Sequence, residues 1–99
     1  MYARGLTFDD VLLVPQRSSI DSRHDVSTEI RLIDDITIDI PVVASPMDTV
    51  TDAHMAHVMW DSGGIGILHR FLSLDERIAM AESINDETAF GAAIGINED

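Results

Sequence analysis

The strongest constraint on this chain is a cycle that repeats over its second half: apolar strand, polar loop, helix, break, strand again. Pro41-Val42-Val43-Ala44-Ser45 is a short continuous apolar run, suited to a strand buried on both faces. The loop Pro46-Met47-Asp48 follows, and Thr49-Val50-Thr51-Asp52 matches the hydroxyl-x-x-carboxylate pattern that satisfies free amides at a helix start. The predicted helix carries Met55, Ala56, Val58 and Met59 on one side and stops at Gly63-Gly64. Ile65-Gly66-Ile67-Leu68 is a second buried strand, ending at His69-Arg70-Phe71. Ser73-Leu74-Asp75-Glu76 is a stronger capping pattern, and Leu74, Ile78 and Ala81 give the next helix an apolar stripe through about Ile84. After Asn85-Asp86-Glu87, residues 89–96 read as a third strand.

Strand starts near Val42, Ile65 and Ala89 are 23 and 24 residues apart. That is the β-α repeat of a parallel sheet, so the expected fold class is α/β. A (β/α)8 TIM barrel needs roughly 200 residues or more. Residues 41–99 supply only its first three strands and two helices, and Asn97-Glu98-Asp99 falls where a third helix should begin. The expectation is an incomplete TIM barrel. Ahead of it, residues 1–25 form an irregular arm, and residues 26–40 alternate polar and apolar about Asp34-Asp35, the pattern of a β-hairpin. The division expected is therefore 1–40, arm and hairpin, and 41–99, barrel.

Composition excludes several function classes. Eighteen acidic residues face six arginines and no lysine, for a formal charge of −12. Such a surface repels phosphates and argues against nucleic-acid binding. A solvated acidic face explains the charge simply, and adaptation to high salt explains it more sharply. No apolar run approaches the roughly 18 residues of a membrane span, and Asp9-Asp10 arrive too early for a signal peptide. A cytoplasmic location and no membrane partner are expected. Without cysteine there is no disulfide, thiolate metal site or thiol nucleophile.

Three stretches resemble the IMP dehydrogenase/GMP reductase family, in its order and spacing. Gly5-Leu6-Thr7-Phe8-Asp9-Asp10-Val11-Leu12-Leu13-Val14-Pro15 resembles the N-terminal signature, and Ser45-Pro46-Met47-Asp48-Thr49-Val50-Thr51 the loop after the first barrel strand. Gly63-Gly64-Ile65-Gly66-Ile67-Leu68-His69 is similar to the second strand. The resemblance implies a TIM-barrel oxidoreductase, usually a homotetramer, acting on a purine 5′-monophosphate with NAD or NADP. Some relatives also use a monovalent cation, which would bind outside these residues. In the family a cysteine on a later loop attacks C2 of the purine, and hydride transfer leaves a covalent intermediate. Hydrolysis resolves it in the dehydrogenase and deamination in the reductase. That thiolate is not among these 99 residues.

The same resemblance implies binding roles inside the chain. Ser45 and Met47 match residues that touch the nucleotide, and a hydroxyl and a thioether suit a phosphate or ribose and a purine face. The plainer reading has Ser45 capping the strand end and Met47 filling the loop. Ser22 and Arg23 match an arm segment that contacts the cofactor's adenosine end. The plainer reading pairs Arg23 with Asp21 or Asp25. Arg70 stands where reductases place a lysine near the cofactor, although arginine differs in geometry. For His69 an orienting or packing role is preferred to that of a general base. His54 and His57 have i, i+3 metal-ligand spacing but no third ligand, so surface exposure is expected. Asp9 and Asp10 read as turn or cap residues rather than a carboxylate pair.

The branch of the family is contested within the sequence. Ser45-Pro46-Met47-Asp48 resembles the dehydrogenase loop, whereas Ser22-Arg23-His24-Asp25-Val26 resembles the reductase arm. The second helix runs straight to the third strand, with no room for the paired regulatory CBS modules of many dehydrogenases. Because the first loop would touch substrate, IMP dehydrogenase is expected, oxidising IMP to XMP with NAD. The alternatives are GMP reductase, converting GMP to IMP with NADPH, and a non-catalytic half-barrel that binds nucleotide or assembles with another subunit.

Overall fold

The computed structural model describes residues 3–96. Met1-Tyr2, the start of the stretch read for a signal peptide, and Asn97-Glu98-Asp99, the expected start of a third helix, lie outside the described residues. Residues 4–27 run as an irregular arm with single 3₁₀ turns at Phe8–Asp10 and Arg23–Asp25. The hairpin is present but shorter than its alternating pattern: β1, Ile30–Ile33, pairs antiparallel with β2, Ile36–Ile38, around a turn at Asp34-Asp35. Then come β3 (Val43–Ala44), α1 (Ala53–Asp61), β4 (Ile65–Leu68), α2 (Leu74–Glu82) and β5 (Phe90–Ala92). The last three strands form one parallel sheet in the order β3-β4-β5, as the strand spacing requires.

Burial is concentrated on the central strand. Ile65, Gly66 and Leu68 of β4 are buried, and α1 packs over them through Ala56, which is fully buried. Gly66 makes this approach possible, since a Cβ there would stand 2.7 Å from Ala56 Cα and 3.1 Å from Ala56 Cβ. The expectation that residues 41–45 are buried on both faces is not met, because Val43 is 50% exposed and Ala44 half-buried. β3 is an edge strand with a single neighbour, and α1 covers only one of its faces. The apolar stripe of α2 likewise faces the sheet without being sealed: Leu74, Ile78 and Ala81 line a hollow of about 190 Å³ with Leu68 and Ala92.

The first helix starts later than the sequence suggests. Its N-cap is Asp52, whose carboxylate accepts from the Met55 N–H at 2.9 Å. Thr51, expected within a Thr49–Asp52 capping box, turns inward instead and is fully buried. The helix ends as Gly63-Gly64 predicts. The Gly64 N–H donates to Met59 O at 2.8 Å and the Gly63 N–H to Trp60 O at 2.9 Å, with Gly63 at φ +90°. This pair of bonds is the Schellman stop, which needs a residue free to adopt positive φ.

The Ile40 N–H then donates to Gly63 O at 3.0 Å, joining the hairpin's exit to the start of β4. Ile38, 2% exposed, is the best buried side chain of the hairpin. The hairpin thus sits at the edge where the parallel strands begin and leaves their C-terminal edge open. The whole chain is extended, with a Cα radius of gyration of 18.0 Å against about 13 Å for a compact unit of this length. Phe8 and Leu13 on the arm are each 97% exposed.

The second capping box is fully formed. The Ser73 N–H and hydroxyl donate to Glu76 Oε2 at 2.9 and 2.7 Å, and the Glu76 N–H returns to Ser73 Oγ at 3.4 Å. The Ser73 hydroxyl, with its backbone N–H second, holds the Glu76 carboxyl below the usual carboxylate range. Because the folded value is depressed, this contribution to α2 is present above the ordinary value of 4.5 and is lost as pH falls through the lowered one. Acid titration by circular dichroism should show Glu76→Gln less helical than the parent at neutral pH, with the gap closing in acid; a gap constant with pH would refute this. Gly66→Ala forces α1 off β4 and should destabilise the protein by about 1–3 kcal/mol in urea unfolding.

Candidate functional site

Ligands of parallel α/β sheets sit at the C-terminal ends of the strands. β3 and β4 pair with Val43 opposite Ile65 and Ala44 opposite Gly66, and β4 and β5 with Leu68 opposite Ala92. This register brings Ser45 and Met47, leaving β3, to the same edge as His69 and Arg70, leaving β4, and Ala93, leaving β5.

The loop after β3 is folded by its own bonds. The Met47 N–H donates to Ser45 O at 2.8 Å, and the Val50 and Thr51 N–H groups both donate to Met47 O at 3.0 Å. The buried Thr51 hydroxyl donates to Ser45 O at 2.6 Å. Thr51 also packs against the central strand, since a Cβ on Gly66 would meet Thr51 Cγ2 at 3.2 Å. The backbone of this loop is pinned while the side chains of Ser45 and Met47 stay exposed. The Ser45 hydroxyl has no hydrogen-bond partner among the described residues, and Met47 is half exposed.

Arg70, two residues past the end of β4, is exposed. Among the described residues the ion pairs are Arg31–Asp34 at 2.9 Å and His57–Asp61 at 3.3 Å. Among the described residues Arg70 and Arg23 therefore have no carboxylate partner, and the pairing of Arg23 with Asp21 or Asp25 does not form. Ser22 caps the second 3₁₀ turn, its Oγ accepting from the His24 N–H at 3.3 Å. Among the described residues no hydrogen bond or ion pair ties residues 4–27 to the sheet; the first tie is Thr28 Oγ1–H to Asp39 O at 2.7 Å. Ser45, Met47 and Arg70 thus follow the same ends of neighbouring strands, while Ser22 and Arg23 lie on the arm.

The remaining polar candidates have structural partners. His69, 7% exposed, accepts from the Phe71 N–H through Nδ1 at 3.2 Å and stacks on the Phe71 ring at 6.3 Å between centroids. The bond fixes the ring at the exit of β4, which is an orienting arrangement. His57 bridges α1 to the approach of β5, with Nδ1 3.0 Å from Thr88 Oγ1, which itself donates to Asn85 Oδ1 at 2.7 Å. His54 is exposed and lines a hollow with His57 and Asn85; among the described residues no three His, Cys, Asp or Glu groups are placed to hold a metal. Asp10 accepts from the Thr7 N–H at 2.9 Å and the Thr7 hydroxyl at 3.1 Å, a cap that draws its carboxyl below the usual range. Sequence reasoning missed Thr51 as the pin of the Ser45 loop, and it missed Arg77, whose Nη2 donates to Ala93 O at 2.9 Å. A threonine directly before the N-cap Asp52 carries a capping signal that hides its inward turn.

Known proteins resemble this chain in both sequence and geometry. A model of the IMP dehydrogenase/GMP reductase domain matches residues 5–99. The chain belongs to this family, whose members are purine-nucleotide oxidoreductases. It is 51% identical to a GMP reductase of Leishmania donovani over 86 residues, 87% of this chain and 18% of the relative. It is 53% identical to an inosine-5′-monophosphate dehydrogenase of Nitrosopumilus maritimus over 76 residues, 77% of this chain and 16% of the relative. Among solved structures it resembles inosine 5′-monophosphate dehydrogenase from Legionella pneumophila, with TM-score 0.79 and 34% identity, over 96% of this chain and 29% of that one. A GMP reductase variant from Trypanosoma brucei, solved in complex with guanosine 5′-monophosphate, matches with TM-score 0.70 and 52% identity, over 80% of this chain and 16% of that one. The chain spans less than a fifth of the length of the two curated relatives. No helix among the described residues is long and apolar enough to cross a membrane.

The pinned loop is directly testable. Thr51→Val keeps the shape but strands the Ser45 carbonyl, and should cost about 1–3 kcal/mol while exposing residues 45–51 to limited proteolysis. Thr51→Ser should keep most of the protection; equal cleavage of both variants would show that the hydroxyl is not the pin.

Proposed function

We propose that this chain is the N-terminal part of a (β/α)8 barrel enzyme that oxidises IMP to XMP with NAD. The observation that carries the reading is the Ser45–Thr51 loop at the C-terminal edge of a parallel sheet, its backbone held by hydrogen bonds and by the Thr51 hydroxyl while Ser45 and Met47 stay exposed. Its Ser45-Pro46-Met47-Asp48 sequence resembles the dehydrogenase form. The proposed division is an arm and hairpin over 1–40 and the barrel from 41 onward, with later strands covering the outer face of β5 and the exposed apolar arm.

The donor set fits a purine nucleotide and a dinucleotide. The unpartnered Ser45 hydroxyl donates to a phosphate or ribose oxygen, and Met47 lays its thioether on the purine face. Arg70, with Ser22 and Arg23 brought in from the arm, would hold the anionic and adenine portions of NAD, the arginines having no carboxylate partner among the described residues. When bound, the cofactor supplies the hydride acceptor. These residues bind and orient; the thiolate nucleophile and any monovalent cation lie outside this sequence, which contains no cysteine. Assembly as a cytoplasmic homotetramer belongs to the same proposal.

The second reading, GMP reductase with NADPH, is favoured by the 51% identity to a relative of that name and by the Ser22–Val26 arm. The complete translation product should reduce NAD in the presence of IMP, and should not oxidise NADPH in the presence of GMP. The reverse pattern establishes the reductase, and inactivity with both pairs leaves the binding half-barrel. In the active pair, Ser45→Ala should raise KM for the nucleotide about tenfold, the value of one lost charge-assisted hydrogen bond.

A further inference from the structure

The exits of β4 and β5 are held apart by a side chain that substitutes for backbone. In a regular parallel ladder, a residue whose N–H bonds one carbonyl offers its own carbonyl to the N–H two residues farther along the neighbour. The Ala93 N–H donates to Leu68 O at 3.0 Å, so the next rung would run from the Arg70 N–H to Ala93 O. That rung is absent. The Arg77 guanidinium takes its place, donating through Nη2 to Ala93 O at 2.9 Å. Arg77 is half-buried, and its stem lines the hollow beneath α2 with Leu68, Leu74 and Ile78. β4 ends at Leu68, and just beyond it the Phe71 N–H donates to His69 Nδ1.

We propose that Arg77 is a positioning residue, capping the β4–β5 ladder so that Arg70 leaves the sheet and faces the nucleotide-binding edge. Its planar fork suits this role, because one arm reaches the strand-end carbonyl while the apolar stem stays against the sheet. An uncharged side chain of similar length would leave Ala93 O to recapture the Arg70 N–H. The ladder would then lengthen by one rung, β4 would run on, and the gap between the two exits would close. The consequence for cofactor binding rests on the oxidoreductase reading above; the ladder cap itself does not.

The complete protein tests both parts. Arg77→Met should raise KM for the nicotinamide cofactor roughly tenfold, inside the ~10²-fold that a displacement of about 1 Å at a reacting site can cost. The turnover number should stay within about twofold, since the reacting atoms lie elsewhere. Arg77→Lys keeps a donor and should recover part of the loss. Hydrogen exchange gives a readout independent of activity. In Arg77→Met the Arg70 amide should become protected while the amides of 65–67 are unchanged. An unchanged KM in an active enzyme, an unprotected Arg70 amide, or a general loss of protection through β4 would each overturn the proposal. If Arg77→Met does not fold, the same measurements on Arg77→Lys and Arg77→Gln decide it. An enzyme inactive on both IMP and GMP removes the oxidoreductase reading, and the exchange of Arg70 alone then decides whether Arg77 caps the ladder.

Discussion

The contact between Gly66 and Ala56 is the constraint on which the rest of this structure depends. It lets α1 lie directly on the central strand, backbone against backbone, at a distance that excludes any Cβ on Gly66. Because α1 is that close, Thr51 at its approach is buried against β4, and its hydroxyl reaches back to Ser45 O. The loop after β3 is therefore held both by its own backbone bonds and by a packing contact distant in sequence. Moving the helix outward by a methyl group would withdraw Thr51 and release the loop. A packing distance in the sheet is in this way coupled to the placement of Ser45 and Met47.

Buried polar groups here act as fasteners between elements that share little apolar surface. Thr51, His69 and Thr88 are the buried polar residues among those described, and each is hydrogen-bonded. Thr88 joins α1 to β5 through His57, compensating for an α2 that is only loosely seated. A buried hydroxyl left without a partner would cost about 1–3 kcal/mol, so every such group favours one arrangement of neighbouring elements over its alternatives. A sheet with one well-covered strand gains order from these bonds that its small core does not provide.

Much of the architecture was legible because it rests on local signals. The Gly63-Gly64 stop, the Ser73–Glu76 box, the turn at Asp34-Asp35 and the parallel order of β3, β4 and β5 each follow from short-range chemistry or from spacing. What escaped the sequence depended on partners distant along the chain. Val43 reads as doubly buried, yet it lies on an edge strand and stays half exposed. Thr51 reads as part of a helix cap, yet tertiary packing draws it inward and gives the cap to Asp52. At the candidate site, Ser45, Met47 and Arg70 could be named from motif and strand ends. Arg77 could not, because nothing local marks a helix arginine that reaches a carbonyl 16 residues away.

Charge gives the arginines a significance out of proportion to their number. With eighteen acidic residues against six arginines, any anion would approach this chain against the mean field. Binding then depends on where the few positive groups are held and whether carboxylates neutralise them. Arg31 is occupied by Asp34 within the hairpin, far from the open edge of the sheet. Arg77 is committed to Ala93 O, where it acts on backbone geometry while adding positive potential near the strand exits. Arg70, past the end of β4, has no carboxylate partner among the described residues. An acidic protein can in this way bind an anion through local placement of charge, and screening by salt would weaken the long-range repulsion before it weakened the short contact. The acidic surface and the nucleotide-binding reading are therefore compatible, because they act over different distances.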